Sequence, residues 1–291
     1  MAMQRTVRTR TSDGRRLAVE QYGDPSGRPV FLLHGTPGSR LGPAPRETLL
    51  YHLGIRLIAF DRPGYGDSDR LPGRTVSAAA ADVRCIADAL GIDRFAVVGR
   101  SGGAPHALAC AALLPERTTR VGALVSLAPR DAPGLDWFEG MTESNVREYV
   151  NAAIGRSRVT ATLGLRSRSI LADPAASIAE MTSRLPEPDR RVVADAGILH
   201  MLERNFAEGL RSSPDGWVDD VMAFSTGWGF ELGWINTPVK LWHGEDDIFA
   251  PVEHTRWLGR NIPDAEVEIE PDAAHFAALE VLTRVLNWAA G

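Results

Sequence analysis

A serine set among glycines, at the point where a short apolar run gives way to a helical stretch of small residues, constrains this chain more than any other feature. Residues 95–98 read as a buried strand, the pattern then breaks into Gly99-Arg100-Ser101-Gly102-Gly103, and residues 104–114 continue with a small, apolar, helical period. A serine on so sharp a turn needs backbone angles that most residues resist, and neighbouring glycines let the strand and helix approach closely. Such a turn would push the Ser101 hydroxyl outward, ready to attack. Glycine and serine are common, so the pentapeptide by itself is weak, and its place between strand and helix gives it weight.

The surroundings supply a frame. Residues 5–10 and 16–22, joined by Ser12-Asp13-Gly14, read as an edge β-hairpin. Further buried strands are expected at 30–33, 56–60, 121–127, 239–242 and 266–269, with helices at 77–90, 104–114 and 273–290. This alternation predicts an α/β fold: a mostly parallel central sheet with helices on both faces and a site beyond the carboxyl ends of its strands. Residues 131–234 break the pattern, with amphipathic stretches parted by Pro174, Pro186, Pro188 and Pro214 and no clear strand. An insertion of that length is too long for a crossover, so an all-helical cap is expected over the strand ends. The expected division is a core of residues 1–132 and 236–291 and a cap of 133–235. No internal repeat or low-complexity tract interrupts it.

Charge and composition narrow the partners. A net charge of -5, with no basic cluster, argues against a nucleic-acid surface. No run is apolar for the length a bilayer span needs, and residues 1–10 are polar and basic with no apolar signal region, so a soluble, cytoplasmic protein is expected. Cys85 and Cys110 lie in helix-like, alanine-rich stretches and read as small core residues. No His-x-x-x-His, Cys-x-x-Cys or paired-carboxylate pattern points to a metal, and no cofactor is expected. The expected partner is a small-molecule substrate, with the chain a monomer or homodimer.

A serine hydroxyl is a poor nucleophile at neutral pH and needs a base, itself held in the correct tautomer by an acid. Two later segments offer both. Trp242-His243-Gly244-Glu245-Asp246-Asp247 ends a strand in a turn rich in carboxylates, and Pro271-Asp272-Ala273-Ala274-His275-Phe276 places a histidine after the last strand. Ahead of the serine, His34-Gly35-Thr36-Pro37-Gly38-Ser39 follows the strand at 30–33. Backbone N–H groups of Thr36 and Gly102 are the expected oxyanion donors, since Pro37 has none to give.

The ordered set His34-Gly35, Asp61-Arg62-Pro63-Gly64-Tyr65-Gly66-Asp67-Ser68, Gly99 to Gly103, Gly244 to Pro251 and His275 resembles the α/β-hydrolase superfamily. The likeness covers roughly residues 16–130 and 236–291. It implies a Ser101–His275–Asp247 triad, because the acid of the family lies three residues after the glycine that closes its strand, with Asp246 as second choice. Asp131 is a weaker rival at a position where some relatives carry their acid. Asp61 is expected to shape a turn, His34 to brace a loop, His106 to be packed or hydrogen-bonded, and His243 and His254 to flank the acid turn.

By resemblance, dehalogenases and epoxide hydrolases of this fold use aspartate where Ser101 stands, and the epoxide enzymes rely on cap tyrosines, of which only Tyr149 is present. The expectation is therefore a serine hydrolase that cleaves a carboxylic ester or lactone of a small, largely apolar substrate through an acyl-enzyme. Serine-dependent carbon–carbon bond hydrolysis uses the same triad and is the nearest alternative. Aminopeptidase activity is a lesser one, since the proline iminopeptidases differ after the first histidine and at the elbow, and a non-catalytic binding protein is the least favoured. Candidate pocket residues are Arg100, Trp137, Phe138, Tyr149, Trp228 and Phe276. For Arg100 the choice lies between an anionic substrate group and packing against neighbouring loops, with packing the expected role.

Overall fold

A computed structural model describes residues 5–291. Residues 1–4, which belong to the N-terminal stretch and to the expected core segment, lie outside the described residues. The chain opens with an antiparallel hairpin, β1 (Thr6–Arg10) and β2 (Arg16–Gly23), followed by β3 (Arg28–Leu33), α1 (Glu47–His52) and β4 (Ile55–Phe60). It continues through α2 (Ala78–Ala89), β5 (Phe95–Arg100), α3 (Gly103–Leu113) and β6 (Thr118–Leu124). Six helices come next: α4 (Glu143–Ile154), α5 (Arg156–Ala172), α6 (Pro174–Thr182), α7 (Glu187–Val193), α8 (Ala196–Leu210) and α9 (Asp215–Phe224). The chain then returns through β7 (Val239–Gly244), α10 (Glu253–Asn261), β8 (Ala265–Glu270) and α11 (Ala278–Ala290).

The eight strands form one sheet in the order β1-β2-β4-β3-β5-β6-β7-β8, antiparallel at β1/β2 and β2/β4 and parallel from β4 onward. Its inner strands are apolar on both sides because helices cover both faces. Phe31, Val97 and Val121 pack against α2 and α3, while Val30, Val98 and Leu124 face the cluster that contains Leu282, Val285 and Leu286 of α11. From β3 the chain steps outward to β4 and then returns to the other side of β3 with β5. The crevice at such a reversal is where open α/β sheets hold their ligands, and here it carries the 34–37 loop and Ser101.

The helices between β6 and β7 begin and end on legible local signals. Thr142 caps α4 by accepting from the Asn145 N–H, Asp173 caps α6 with Pro174 in the first turn, and Asp195 caps α8 by accepting from Gly197 and Ile198. The structure departs from the sequence reading in a few places. β6 stops at Leu124 rather than 127, because Val125 takes φ 46° and turns the chain. α11 starts at Ala278 rather than 273, which leaves His275 in a loop. α1 and α10 had not been expected. Cys110 is buried as expected, but Cys85 is half-exposed, its thiol directed to the Arg10 carbonyl.

Candidate active site

Ser101 sits between β5 and α3 at φ 54°, the left-handed region that a residue with a side chain enters only under constraint. The constraint is visible on both sides. Its N–H donates to Leu124 O at 2.8 Å, and its carbonyl accepts from Ala104 N at 2.8 Å. A Cβ on Gly99 would lie 2.3 Å from Gly103 O, and one on Gly103 would lie 2.1 Å from Leu33 O. Neither glycine can be replaced without moving backbone, so they hold the strand and helix close enough to force the turn.

The acid and the base are brought together by another close approach. A Cβ on Gly244, at the end of β7, would lie 2.5 Å from the Ala273 carbonyl carbon, and Asp246 N donates to Ala273 O at 2.9 Å. The acid turn therefore lies directly on the loop that carries His275. Asp247 is buried; its Oδ1 accepts from the N–H groups of Phe249 and Ala250 at 2.7 and 3.0 Å, while Oδ2 meets His275 Nδ1 at 2.7 Å and His243 Nε2 at 3.2 Å. Burial pushes this carboxyl up, but His275, His243 and these hydrogen bonds outweigh it and hold it well below the ordinary range. Asp246 and Asp131 are exposed and touch no histidine. Ser101 and His275 line the same cavity with no hydrogen bond between them. In ligand-free sites such contacts are often long and tighten around substrate.

The Thr36 and Gly102 amides donate to no described residue, and the two positions touch. A Cβ on Gly102 would lie 2.1 Å from Thr36 Oγ1. Thr36 is held from behind by a buried network that the sequence did not reveal. Its hydroxyl donates to Asp220 Oδ2 at 2.6 Å and accepts from Arg62 Nη2 at 3.0 Å. Asp220, on α9 and fully buried, also pairs with Arg62 and Arg74, each at 2.6 Å, accepts from Tyr65 Oη at 2.8 Å, and lies 3.4 Å from His106 Nε2. Burial raises this carboxyl, but the two guanidiniums overcome that and hold it far below its usual value. Arg62 in turn donates to the carbonyls of His34 and Gly35, and its N–H donates to His34 Nε2 at 3.1 Å. One signal for Asp220 was present: an acid on a helix whose other neighbours, Trp217, Val218, Val221 and Phe224, are all buried.

These elements enclose a cavity of about 620 Å³. Arg100, Tyr149 and Phe276 are on its wall, as are Phe206, Trp217, Phe224 and Phe249. Three expected pocket residues lie elsewhere. Trp137 donates its indole N–H to Ala128 O at 2.9 Å and packs edge-on against Tyr149 and His254; Phe138 lies against Trp137 and Arg130; and Trp228 packs on Phe230 while its carbonyl accepts from Ser77 N. A buried indole N–H usually finds a hydrogen-bond partner, as Trp137 does in Ala128 O, while Trp228 Nε1 is buried without one and its ring packs on Phe230. Among the described residues no group of three histidine, cysteine or acidic side chains could hold a metal ion, and no helix is long and apolar enough to cross a membrane.

Comparison with known proteins bears on this geometry. A family model described as the alpha/beta hydrolase fold matches residues 28–154. The chain is 40% identical over 114 residues to a proline iminopeptidase of Xylella fastidiosa, a match that spans 38% of this chain and only 36% of that protein. It is 25% identical over 271 residues to a 2-hydroxy-6-oxo-6-phenylhexa-2,4-dienoate hydrolase of Burkholderia cepacia, covering 87% and 83% of the two chains. Among solved structures, a thermophilic esterase from Thermogutta terrifontis superposes with a TM-score of 0.69 at 24% identity over 98% of this chain and 96% of the other. With the sheet order, the strained serine elbow and the family model in agreement, the chain has the α/β-hydrolase fold.

Proposed function

We propose that the chain is a serine hydrolase that cleaves a carboxylic ester or lactone through an acyl-enzyme. One observation carries this reading: His275 Nδ1 lies 2.7 Å from a buried, strongly acidic Asp247, and the same histidine shares a cavity wall with Ser101 on its strained turn. In this scheme Ser101 Oγ attacks the carbonyl, His275 takes its proton and later returns one to the leaving group, and Asp247 fixes the tautomer and stabilises the imidazolium. The Thr36 and Gly102 amides receive the tetrahedral oxyanion, and loss of one such donor costs roughly 3 to 4 kcal/mol of barrier.

A second reading, serine-dependent carbon–carbon bond hydrolysis of a diketone, is favoured by the relatives that align along most of the chain, including hydrolases named for dienoate and dienedioate substrates at 25–28% identity. The iminopeptidase likeness is confined to about a third of each chain and supports aminopeptidase activity less. The test is labelling with a fluorophosphonate probe followed by a panel of esters, lactones and diketones. Labelling of Ser101 with ester or lactone turnover is expected. Unlabelled Ser101 in folded protein would sink the acyl-enzyme scheme, and turnover of diketones alone would move the assignment to the second reading.

A further inference from the structure

Arg100 ends β5 immediately before Ser101 and is only 8% exposed. Its guanidinium makes no hydrogen bond or ion pair with any described residue, and Nη1 is sealed from solvent without a partner. The other buried arginines among the described residues are paired: Arg40 with Asp61, and Arg62 and Arg74 with Asp220. Asp189 and Asp247 are the carboxylates whose fields reach Arg100, yet neither is within ion-pair distance of it, although Asp189 Oδ2 has no hydrogen-bond partner of its own. Asp189 Oδ1 accepts the Phe276 N–H at 2.6 Å, and Asp247 is taken up by His275, His243 and the turn amides. Burial lowers the guanidinium only to about 10, so it is charged at neutral pH. A buried charge without a counter-ion is strongly unfavourable, and the planar fork of arginine is matched to a carboxylate.

Arg100 borders two spaces. The smaller, beside Ser39 and Asn205, is about 20 Å³, room for about one water and too little for a carboxylate. The larger is the 620 Å³ cavity of Ser101 and His275. Other arginines on that wall are opposed or in solvent: Arg166 faces Glu148, Arg184 faces Glu180, and Arg147 is exposed. A methyl group built on Gly35 would lie 3.5 Å from both Arg100 Nη2 and Ser101 Cβ, so that nitrogen and that Cβ are no farther apart than twice that distance.

We propose that Arg100 is the counter-ion of a carboxylate carried by the substrate a few bonds from its scissile carbonyl, which makes the substrate class half-esters of short dicarboxylic acids. This rests on the ester hydrolysis proposed above and replaces a largely apolar substrate with one that carries a fixed negative charge. Hydrolysis of such an ester consumes one water and releases a dicarboxylate and an alcohol.

The test compares monoethyl succinate with ethyl levulinate, in which an uncharged methyl ketone takes the place of the carboxylate, in the wild type and in Arg100→Met and Arg100→Lys. The wild type is expected to favour the charged ester in kcat/KM by about tenfold or more, as a charge-assisted pair supplies. Arg100→Met is expected to abolish that preference chiefly through KM, and Arg100→Lys to restore part of it. A wild type without preference, or an Arg100→Met variant that lowers both substrates in the same proportion, overturns the proposal. If the wild type cleaves no ester or lactone at all, the hydrolase reading fails on its own, and calorimetric titration with succinate decides the anion site. Binding by the wild type that is lost in Arg100→Met upholds it, while equal binding or none in both overturns it. Should Arg100→Met fail to fold, Arg100→Lys and Arg100→Gln carry the same comparison.

Discussion

At the scale of single residues, the sharpest question is which aspartate serves His275, and the two candidates are neighbours. Asp247 is buried, accepts three hydrogen bonds and lies 3.2 Å from His243 Nε2, whereas Asp246 is exposed and uses only its backbone N–H to brace the histidine loop. Asparagine at 247 can keep the shape but donates where the imidazole needs an acceptor, which selects the wrong tautomer. Asp247→Asn is therefore expected to lower kcat by about four orders of magnitude. Asp246→Asn should stay within about twofold, the usual range of a surface change. Steady-state rates on any accepted ester would check both, and equal losses in the two variants would contradict this division of roles. The sequence separated these residues only through family resemblance. Nothing in Glu245-Asp246-Asp247 itself says which carboxylate turns inward. That is decided by Gly244, whose missing Cβ lets the acid turn settle on Ala273.

At the scale of elements, legibility followed the strength of the local pattern. Buried parallel strands are short, continuous and apolar, so β3, β4, β5 and β7 were readable to within a few residues. β6 was read three residues too far along the chain because Val125 and Leu127 are as apolar as the strand they follow, and only the backbone reversal at Val125 ends it. α10 escaped notice because it is only nine residues long and mostly polar in composition, with Trp257 and Leu258 its large apolar buried residues. The contact made by α9 was the least legible, since the partners of Asp220 lie about 114 to 184 positions away in the chain. Yet Asp220 joins this helix to the core. Asp220→Asn would leave Arg62 and Arg74 buried beside each other with no opposing charge, and breaking a buried ionic cluster in this way costs about 3–5 kcal/mol. Urea unfolding at neutral pH is the measurement. A loss below about 1 kcal/mol would mean that the cluster is not what holds α9 on the core.

For the molecule as a whole, buried carboxyls of two opposite kinds contribute to stability against pH. Asp220 and Asp247 are held below their ordinary range by cationic or hydrogen-bonding partners, so the stability they contribute is present at neutral pH and is lost only in strong acid. Asp61 and Asp189 are pushed up to about 6, chiefly by burial. Below the carboxyl pKa of the unfolded chain, Asp189 is protonated in both states and has no effect. Between there and about 6, the folded state holds more protons than the unfolded state, so stability falls as pH rises, and above about 6 the full penalty applies. Asp61 has Arg40 beside it, whereas Asp189 has no ion pair, only the field of His275 and the backbone N–H groups of Phe276 and His275, and its Oδ2 is without a partner. Asp189 belongs to α7 and Phe276 to the loop of His275, so this penalty falls on the joint between the inserted helices and that loop. Asp189→Asn keeps an oxygen to accept the Phe276 N–H and removes the charge. The variant is expected to match the wild type near pH 4 and to be more stable near pH 7.5, by on the order of 1–3 kcal/mol. A shallower decline through the interval is also expected. Urea unfolding at the two pH values decides the matter: a variant no more stable than the wild type at neutral pH would show that the Asp189 carboxylate is opposed by a charge that burial and the Phe276 amide do not supply.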